Sequence, residues 1–169
     1  TLDQSSAPVW KLLPSELLVA RTVAGLAISR GHRRLLIIRD AGSYGKNYGR
    51  WMAEVWKASG RTVVAELTLP KGGHEMVAGQ IHPLQFDAVF MPMPAEMGAE
   101  LLQYLATKDI WVRGREARFA KSENMREVSF FVTPEWYGSN RNRLLRRYGE
   151  GVLVPVSFAA ETARGSQLK

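Results

Sequence analysis

The chain is organised around a short apolar run that is followed by a glycine-containing turn and an amphipathic helix. Residues 35–38 are four consecutive branched apolar residues, a pattern typical of a parallel strand buried on both faces. Residues 40–46 contain two glycines, which predicts a loop at the carboxyl end of this strand. A helix is predicted over residues 48–59, ended by Gly60, because apolar residues recur there on one face. Those residues are Tyr48, Trp51, Met52, Val55 and Trp56.

The same alternation of strands and helices continues along most of the chain. An earlier helix is predicted over residues 15–30, with Ser15 as its N-cap. Further strands are predicted at residues 62–69, 86–91 and 110–112, with helices between them at residues 75–81 and 95–107. Short connections between these units favour a parallel sheet with right-handed crossovers and helices on both faces. The predicted fold class is α/β, a Rossmann-like three-layer α/β/α lobe with a mostly parallel sheet.

The pattern changes after Arg113, where the sequence becomes charged and irregular. A further strand is predicted at residues 128–133, a basic helix at residues 140–148 and a final helix at residues 157–164. We interpret residues 1–169 as a single lobe with three parts. They are a leading or hinge segment at residues 1–13, strand–helix repeats at residues 14–113, and an irregular segment with a strand and closing helices at residues 114–169.

Composition and charge narrow the class of protein. The 169 residues carry a net charge of +7, which permits an anionic partner, although a basic surface also simply aids solubility. Cysteine is absent, which excludes disulfides, thiolate metal sites and thiol nucleophiles. No apolar run approaches the roughly 18 residues that a membrane-spanning helix needs, so no transmembrane segment is predicted. The first residues lack the basic and apolar regions of a signal peptide, so we expect a chain processed or cut from a longer protein.

The usual motifs of enzymes, cofactor sites and metal sites do not occur in the sequence. The glycines at residues 40–46 fit neither the G-x-x-x-x-G-K-[ST] nor the G-x-G-x-x-G spacing, which argues against nucleotide binding. The three histidines form no i, i+4 pair, and Ser43 does not lie in a G-x-S-x-G elbow. We therefore predict no enzymatic activity, no cofactor and no metal site. Asp40, at the end of the first strand, is interpreted as a loop cap.

The basic clusters and the aromatic residues remain as candidates for binding. Arginines cluster at residues 30–34, 113–118 and 141–147, but no known nucleic-acid module is present, so nucleic acid is not expected as a partner. Trp51 and Trp56 lie on the helix stripe and are expected in the core. Tyr44 lies outside that stripe, in the predicted loop. Its ring and hydroxyl suit contact with a small ligand, and packing within the loop is equally compatible.

The order of several segments resembles the type I periplasmic binding proteins, in particular the branched-chain amino-acid-binding group. The segments are R-R-L-L-I-I-R-D-x-x-S-Y-G-K, then P-K-G-G, F-D-A-V-F, E-M-G and V-S-F-F-V-T-P-E-W-Y. The resemblance covers about residues 12–165 and implies two α/β lobes that close on a ligand about a hinge. This chain corresponds to the carboxyl-proximal lobe. The resemblance implies a periplasmic solute-binding lobe that holds a small polar ligand, such as an amino acid, at the carboxyl ends of its strands.

The resemblance also assigns candidate ligand contacts and partners. The loop aromatic of the family falls on Tyr44, beside Ser43, and its acidic or polar residue after the fourth strand falls near Glu116. The cleft residue after the third strand falls near Met93 or Pro94, where the family commonly has an aromatic residue, so this chain departs from the pattern there. The implied partners are the small ligand and a membrane permease.

A second branch of the same fold provides an alternative interpretation. The segments F-D-A-V-F-M-P and L-L-Q-Y-L-A-T-K-D-I are similar to the corresponding lobe of penicillin-binding-protein activators. These are lipid-anchored outer-membrane proteins that stimulate peptidoglycan synthases. This resemblance implies a protein-interaction module with a cell-wall synthase as its partner, and lipid anchoring of the full-length protein.

Overall fold

A computed structural model describes residues 15–114, 124–138 and 143–156 of the chain. Within these ranges five strands form one parallel sheet with the order β2-β1-β3-β5-β4. The strands are β1 (Arg34–Arg39), β2 (Thr62–Thr68), β3 (Ala88–Met91), β4 (Ile110–Val112) and β5 (Arg126–Val132). The parallel α/β fold class predicted from the sequence is therefore confirmed. The position of β5 between β3 and β4 brings the end of β5 next to the end of β3.

Helices cover both faces of the sheet. They are α1 (Glu16–Ser29), α2 (Ser43–Ala58), α3 (His74–Ile81), α4 (Ala95–Ala106) and α5 (Arg143–Tyr148), with a 3-10 turn at Pro134–Trp136. Each lies where a helix was predicted, although α5 is described only from Arg143 onward. The predicted final helix at residues 157–164 and the segment at residues 1–13 lie outside the described residues. None of the described helices has the length and apolar character that crossing a membrane requires.

The predicted start of α2 was wrong, because the helix begins at Ser43 rather than at Tyr48. Its first turn contains glycine and polar residues, so the apolar periodicity starts only one turn later. A contact from outside the helix supports this first turn: the Asp40 carboxylate accepts a hydrogen bond from the Gly45 N–H at 3.1 Å. Asp40 therefore has the capping role predicted for it, and Tyr44 lies in a helix rather than in a loop.

The strands separate two hydrophobic clusters, as a three-layer lobe requires. Alternate side chains of β1 point to opposite faces, so Leu35 and Ile37 pack with α1 and α2, whereas Leu36 and Ile38 pack with α3 and α4. Trp56 is fully buried in the first cluster, and its indole N–H also donates to the Thr62 carbonyl at 3.0 Å. Of the predicted helix stripe, Tyr48, Met52 and Trp56 are buried, whereas Trp51, expected in the core, and Val55 are only partly buried.

A charged junction fixes the start of β1 to the start of β3. The Asp87 carboxylate accepts hydrogen bonds from the backbone N–H groups of Arg33, at 3.0 Å, and Arg34, at 3.1 Å. His32 is buried beside it, with Nδ1 at 3.6 Å from an Asp87 oxygen. Burial lowers the pKa of His32, and this effect outweighs the opposing attraction of Asp87. The neutral imidazole is therefore the form that the fold favours.

Candidate functional site

The sheet has a point at which the connections leave toward opposite faces. β1 and β3 are neighbours, but β1 leads into α2 on one face and β3 leads into α4 on the other. Turns that diverge in this way leave a crevice at the carboxyl ends of the strands, where open α/β sheets bind ligands. The turn after β1 and the turn after β3 border this crevice. We call this edge, together with the turn after β5, the cleft rim.

Gly45 allows the first two turns of the cleft rim to meet. A Cβ atom at this position would overlap the Asp40 carboxylate and would lie 2.8 Å from the Pro92 carbonyl oxygen. Only a residue without a side chain leaves room for both groups. The Asp40 carboxylate can therefore cap α2 while the turn that contains Pro92 packs directly against the first turn of this helix.

Tyr44 extends from this first turn toward the end of β5. Its ring is half-buried and packs at a tilt on the ring of Tyr48, with centroids 4.8 Å apart. Burial raises the pKa of Tyr44, whereas the nearby Thr133 hydroxyl lowers it, and the charge of Glu135 adds to the rise. The hydroxyl is therefore protonated and can donate one hydrogen bond and accept others.

Thr133, the first residue after β5, has a fully buried side chain. Its Oγ1 atom faces the Tyr44 hydroxyl closely enough to affect the pKa of the tyrosine. However, within the described ranges this oxygen makes no hydrogen bond of acceptable distance and angle. A buried hydroxyl without a partner costs free energy, about 1–3 kcal/mol for the desolvation of the group. The half-buried Tyr44 is therefore the member of the pair that a ligand can reach, with the buried Thr133 hydroxyl behind it.

Glu135 lies beside the two hydroxyls and is itself close to two further carboxylates. Burial raises the pKa of Glu135, the nearby Tyr44 hydroxyl lowers it, and the negative charges of Asp40 and Glu96 raise it further. Glu135 is exposed, so water partly screens these effects. In the part of the chain that the structure describes, no three histidine or carboxylate groups are arranged to hold a metal ion. The cleft rim carries charges of both signs, because Arg39 donates a hydrogen bond from Nη1 to the Asp40 carbonyl at 3.2 Å and Lys46 lies in the first turn of α2.

Trp136 fixes the turn after β5 to the turn after β3. Its indole N–H donates a buried hydrogen bond to the Met93 carbonyl at 2.7 Å. The ring packs directly on Gly98 of α4, where a Cβ atom would overlap the six-membered part of the indole. The backbone of Met93 therefore helps to position the site, while its side chain is fully buried in the core.

Solved structures of transport proteins share this architecture. A protein from Rhodospirillum rubrum described as a branched-chain amino acid ABC transporter has a TM-score of 0.66 at 16% identity, over 89% of this chain and 40% of its own. An ABC transporter substrate-binding protein from Desulfitobacterium hafniense, in complex with leucine, has a TM-score of 0.62 at 21% identity. The match covers 89% of this chain and 38% of that protein. A solute-binding protein of an ABC transporter from R. palustris, in complex with 4-hydroxybenzoate, has a TM-score of 0.55 at 14% identity. The match covers 72% of this chain and 30% of that protein.

The chain has the fold of one lobe of a type I periplasmic binding protein. It spans at most 40% of the length of these three proteins. No protein-family model matches the chain, and no curated protein matches it in sequence. The three proteins are described as transport proteins rather than enzymes, and they give no support to the alternative interpretation as a regulator of peptidoglycan synthesis.

Within this lobe, the predicted site residues have different positions. Tyr44 and the exposed Ser43 lie together in the first turn of α2 at the cleft rim. Met93 lies at the rim by its backbone only, because its side chain is 0% exposed. Glu116 lies outside the described residues.

Sequence reasoning did not select Thr133, Glu135 or Trp136 as site residues. A usable signal was present in the sequence, because the segment T-P-E-W directly follows the apolar run of β5. The carboxyl ends of parallel strands share one edge of a sheet, so any polar residue at such an end belongs to the same rim as Tyr44.

Proposed function

We propose that this chain is the solute-binding lobe of a two-lobed, non-enzymatic binding protein that holds a small polar ligand, such as an amino acid, at the cleft rim. The observation that carries the proposal is the convergence of two hydroxyls on this rim. The Tyr44 hydroxyl and the unsatisfied Thr133 Oγ1 face one another at the switch point of the sheet. Such a pair suits a ligand that both donates and accepts hydrogen bonds.

The charges around the hydroxyls favour one end of an amino acid. An ammonium group donates three hydrogen bonds and carries a positive charge, so it suits a rim with the carboxylates of Asp40, Glu96 and Glu135. A ligand carboxylate is better placed near Ser43, since the N-terminus of a helix attracts negative charge. The proposed contacts are therefore Tyr44 and Ser43, and the buried Thr133 hydroxyl is proposed as a positioning partner of Tyr44.

The second lobe and the transport partner belong to the same proposal. One lobe supplies only part of the contacts to a ligand held between two lobes, and closure of the lobes about their hinge would signal occupancy. The similar proteins include one in complex with leucine and one in complex with 4-hydroxybenzoate, so the fold accommodates small organic acids. We place the full-length protein in the periplasm, where it would deliver its ligand to a membrane permease.

The proposal is tested by titrating the 169-residue chain with amino acids while recording amide NMR spectra, which detect weak binding. We expect saturable shifts at the residues of the cleft rim. A neutral hydrogen bond contributes about 0.5–1.5 kcal/mol, so Tyr44→Phe should weaken binding by about 2–10-fold. Tyr104→Phe, on the exposed surface of α4, is the matched control and should bind like the unmodified chain.

Three outcomes would contradict the proposal. They are the absence of saturable shifts at the rim with any amino acid, equal affinity in the Tyr44→Phe variant, and an equal loss of affinity in the Tyr104→Phe control. The same titration with peptidoglycan fragments examines the alternative interpretation, because saturable binding of these fragments alone would replace transport by cell-wall recognition.

A further inference from the structure

A cavity lies at the end of the sheet opposite to the cleft rim, where β4 and β5 begin. Its volume is about 270 Å³. The lining residues are His82, Lys108, Asp109, Ile110, Asn124 and Arg126. Arg126 begins β5 and Thr133 follows its end, so the cavity is separated from the cleft rim by the length of a seven-residue strand, roughly 20 Å. It is therefore a different place from the proposed solute site.

The guanidinium group of Arg126 is held in a defined position. Its Nη1 atom donates a hydrogen bond to the Leu84 carbonyl at 2.6 Å. Its planar face lies over the ring of Phe86, with the central carbon 4.3 Å from the ring centroid. Burial lowers the pKa of Arg126, which shows that the group is partly removed from water. A charged group fixed on two sides in this way has lost most of its rotational freedom before any partner binds.

The other edge of the guanidinium group has no partner among the residues that the structure describes. Both Nε and Nη2 are buried and make no hydrogen bond in the part of the chain that the structure describes. Neither does Arg126 form an ion pair with a carboxylate within those residues. These two nitrogens are the adjacent donors that bind both oxygens of a carboxylate or phosphate group at once. Leaving such donors buried and unpaired is unfavourable, so the folded chain gains stability when an anion binds them.

We propose that the Nε–Nη2 edge of Arg126 is a binding site for a small oxyanion, either a carboxylate or a phosphate group. Lys108 lines the same cavity and adds a second positive charge, while His82 and Asn124 add hydrogen-bonding groups. The cavity also contains the Asp109 carboxylate, which limits the charge that the site tolerates and favours a ligand with one or two negative charges. His82, Lys108 and Asn124 are exposed, so their side chains can move aside to admit the ligand.

The experiment titrates the 169-residue chain with inorganic phosphate, with acetate and with chloride at constant ionic strength. The readouts are the midpoint of thermal unfolding and the NMR signal of the Arg126 Nε–H group. We expect phosphate or acetate, but not chloride, to raise the midpoint with saturation and to shift the Nε–H signal. A response to phosphate alone identifies a phosphate group as the ligand chemistry, and a response to acetate alone identifies a carboxylate.

Variants separate a specific site from general attraction to a basic protein. Arg126→Lys keeps the charge but loses the paired donors, and should weaken binding at least 10-fold. Lys108→Ala changes an exposed residue and should weaken binding several-fold without affecting folding, which preserves the test if Arg126→Lys does not fold. Arg21→Lys, on the exposed surface of α1, is the matched control. The proposal is overturned if chloride is as effective as the oxyanions, if the Nε–H signal does not move, or if Lys108→Ala and Arg21→Lys behave alike.

Discussion

Replacing Gly98 by alanine tests whether the packing of Trp136 fixes the cleft rim. Alanine has a higher helix propensity than glycine, so helix propensity alone predicts that the substitution stabilises α4. The structure predicts the opposite, because the new Cβ atom would overlap the indole ring of Trp136. The ring is held in place by its hydrogen bond to the Met93 carbonyl and is almost fully buried. One of the two groups must therefore move.

The expected magnitude follows from three contributions. Better helix propensity stabilises the folded state by about 0.5–1 kcal/mol. Overpacking destabilises it by about 1–3 kcal/mol, and loss of the indole hydrogen bond adds about 0.5–1.5 kcal/mol. The sum is a net destabilisation of about 2 kcal/mol, within a range of about 0.5–4 kcal/mol. Gly98→Ala should therefore destabilise the folded chain, whereas a glycine-to-alanine substitution at an uncrowded helix position should stabilise it.

Urea unfolding followed by far-UV circular dichroism measures this free energy without relying on the fluorescence of Trp136. Gly25→Ala in α1 is the matched control, because no atom lies within 4 Å of a Cβ atom there, and it should stabilise the chain. In a Trp136→Phe background the ring atoms that Gly98 contacts are absent, so Gly98→Ala should destabilise the folded chain much less. Equal stabilisation by Gly98→Ala and Gly25→Ala, or an undiminished loss in the Trp136→Phe background, would refute the packing argument.

Two further predictions concern the turn before α2 and the junction before β1. Gly45→Ala should lower the free energy of unfolding by about 1–3 kcal/mol, because the new Cβ atom would overlap the Asp40 carboxylate. Gly79→Ala in α3 has open space around its Cβ atom and should not lower the free energy of unfolding. Urea unfolding of the two variants measures the difference. Burial lowers the pKa of His32 below 6.5, so the unfolded chain binds a proton more readily than the folded chain does. The free energy of unfolding should therefore fall as the pH drops below 6.5 toward the lowered pKa. Urea midpoints at about pH 7.5 and about pH 5.5 measure this loss. The loss should be smaller in the His32→Gln variant and unchanged in the His82→Gln control.

The elements that could be predicted from the sequence are those whose burial is determined locally. The four apolar residues of β1 are buried on both faces, and the stripe that includes Met52 and Trp56 is the inner face of α2. In both segments the period of apolar residues alone determines which side chains enter the core. The first turn of α2 could not be predicted in this way, since its support comes from Asp40 and its close packing requires Gly45.

The composition of the cleft rim depends on strand order, which local patterns do not encode. Thr133 and Glu135 follow β5, and Trp136 reaches Met93 only because β5 lies beside β3. Consecutive strands are neighbours in most sheets, so a reader of the sequence would place β4 beside β3. Tyr44, in contrast, follows β1 directly and could be selected as a rim residue without knowledge of the strand order.

Net charge was a poor guide to the chemistry of the cleft, because charged residues of both signs lie at both ends of the strands, with Arg39 beside Asp40 at one end and Asp87 beside Arg33 and Arg34 at the other. Asp40 lies beyond the carboxyl end of β1, near Glu96 and Glu135, whereas Arg34 begins β1 and borders a hollow of about 490 Å³ together with Arg33 and Arg61. Six residues of a strand separate the two ends of β1, roughly 20 Å, which exceeds the Debye length of about 8 Å at physiological ionic strength. The two charged regions therefore act independently. A net charge of +7 permits an anionic partner but does not say where it binds, and the carboxylates of the cleft rim leave room there for a ligand with a positive group.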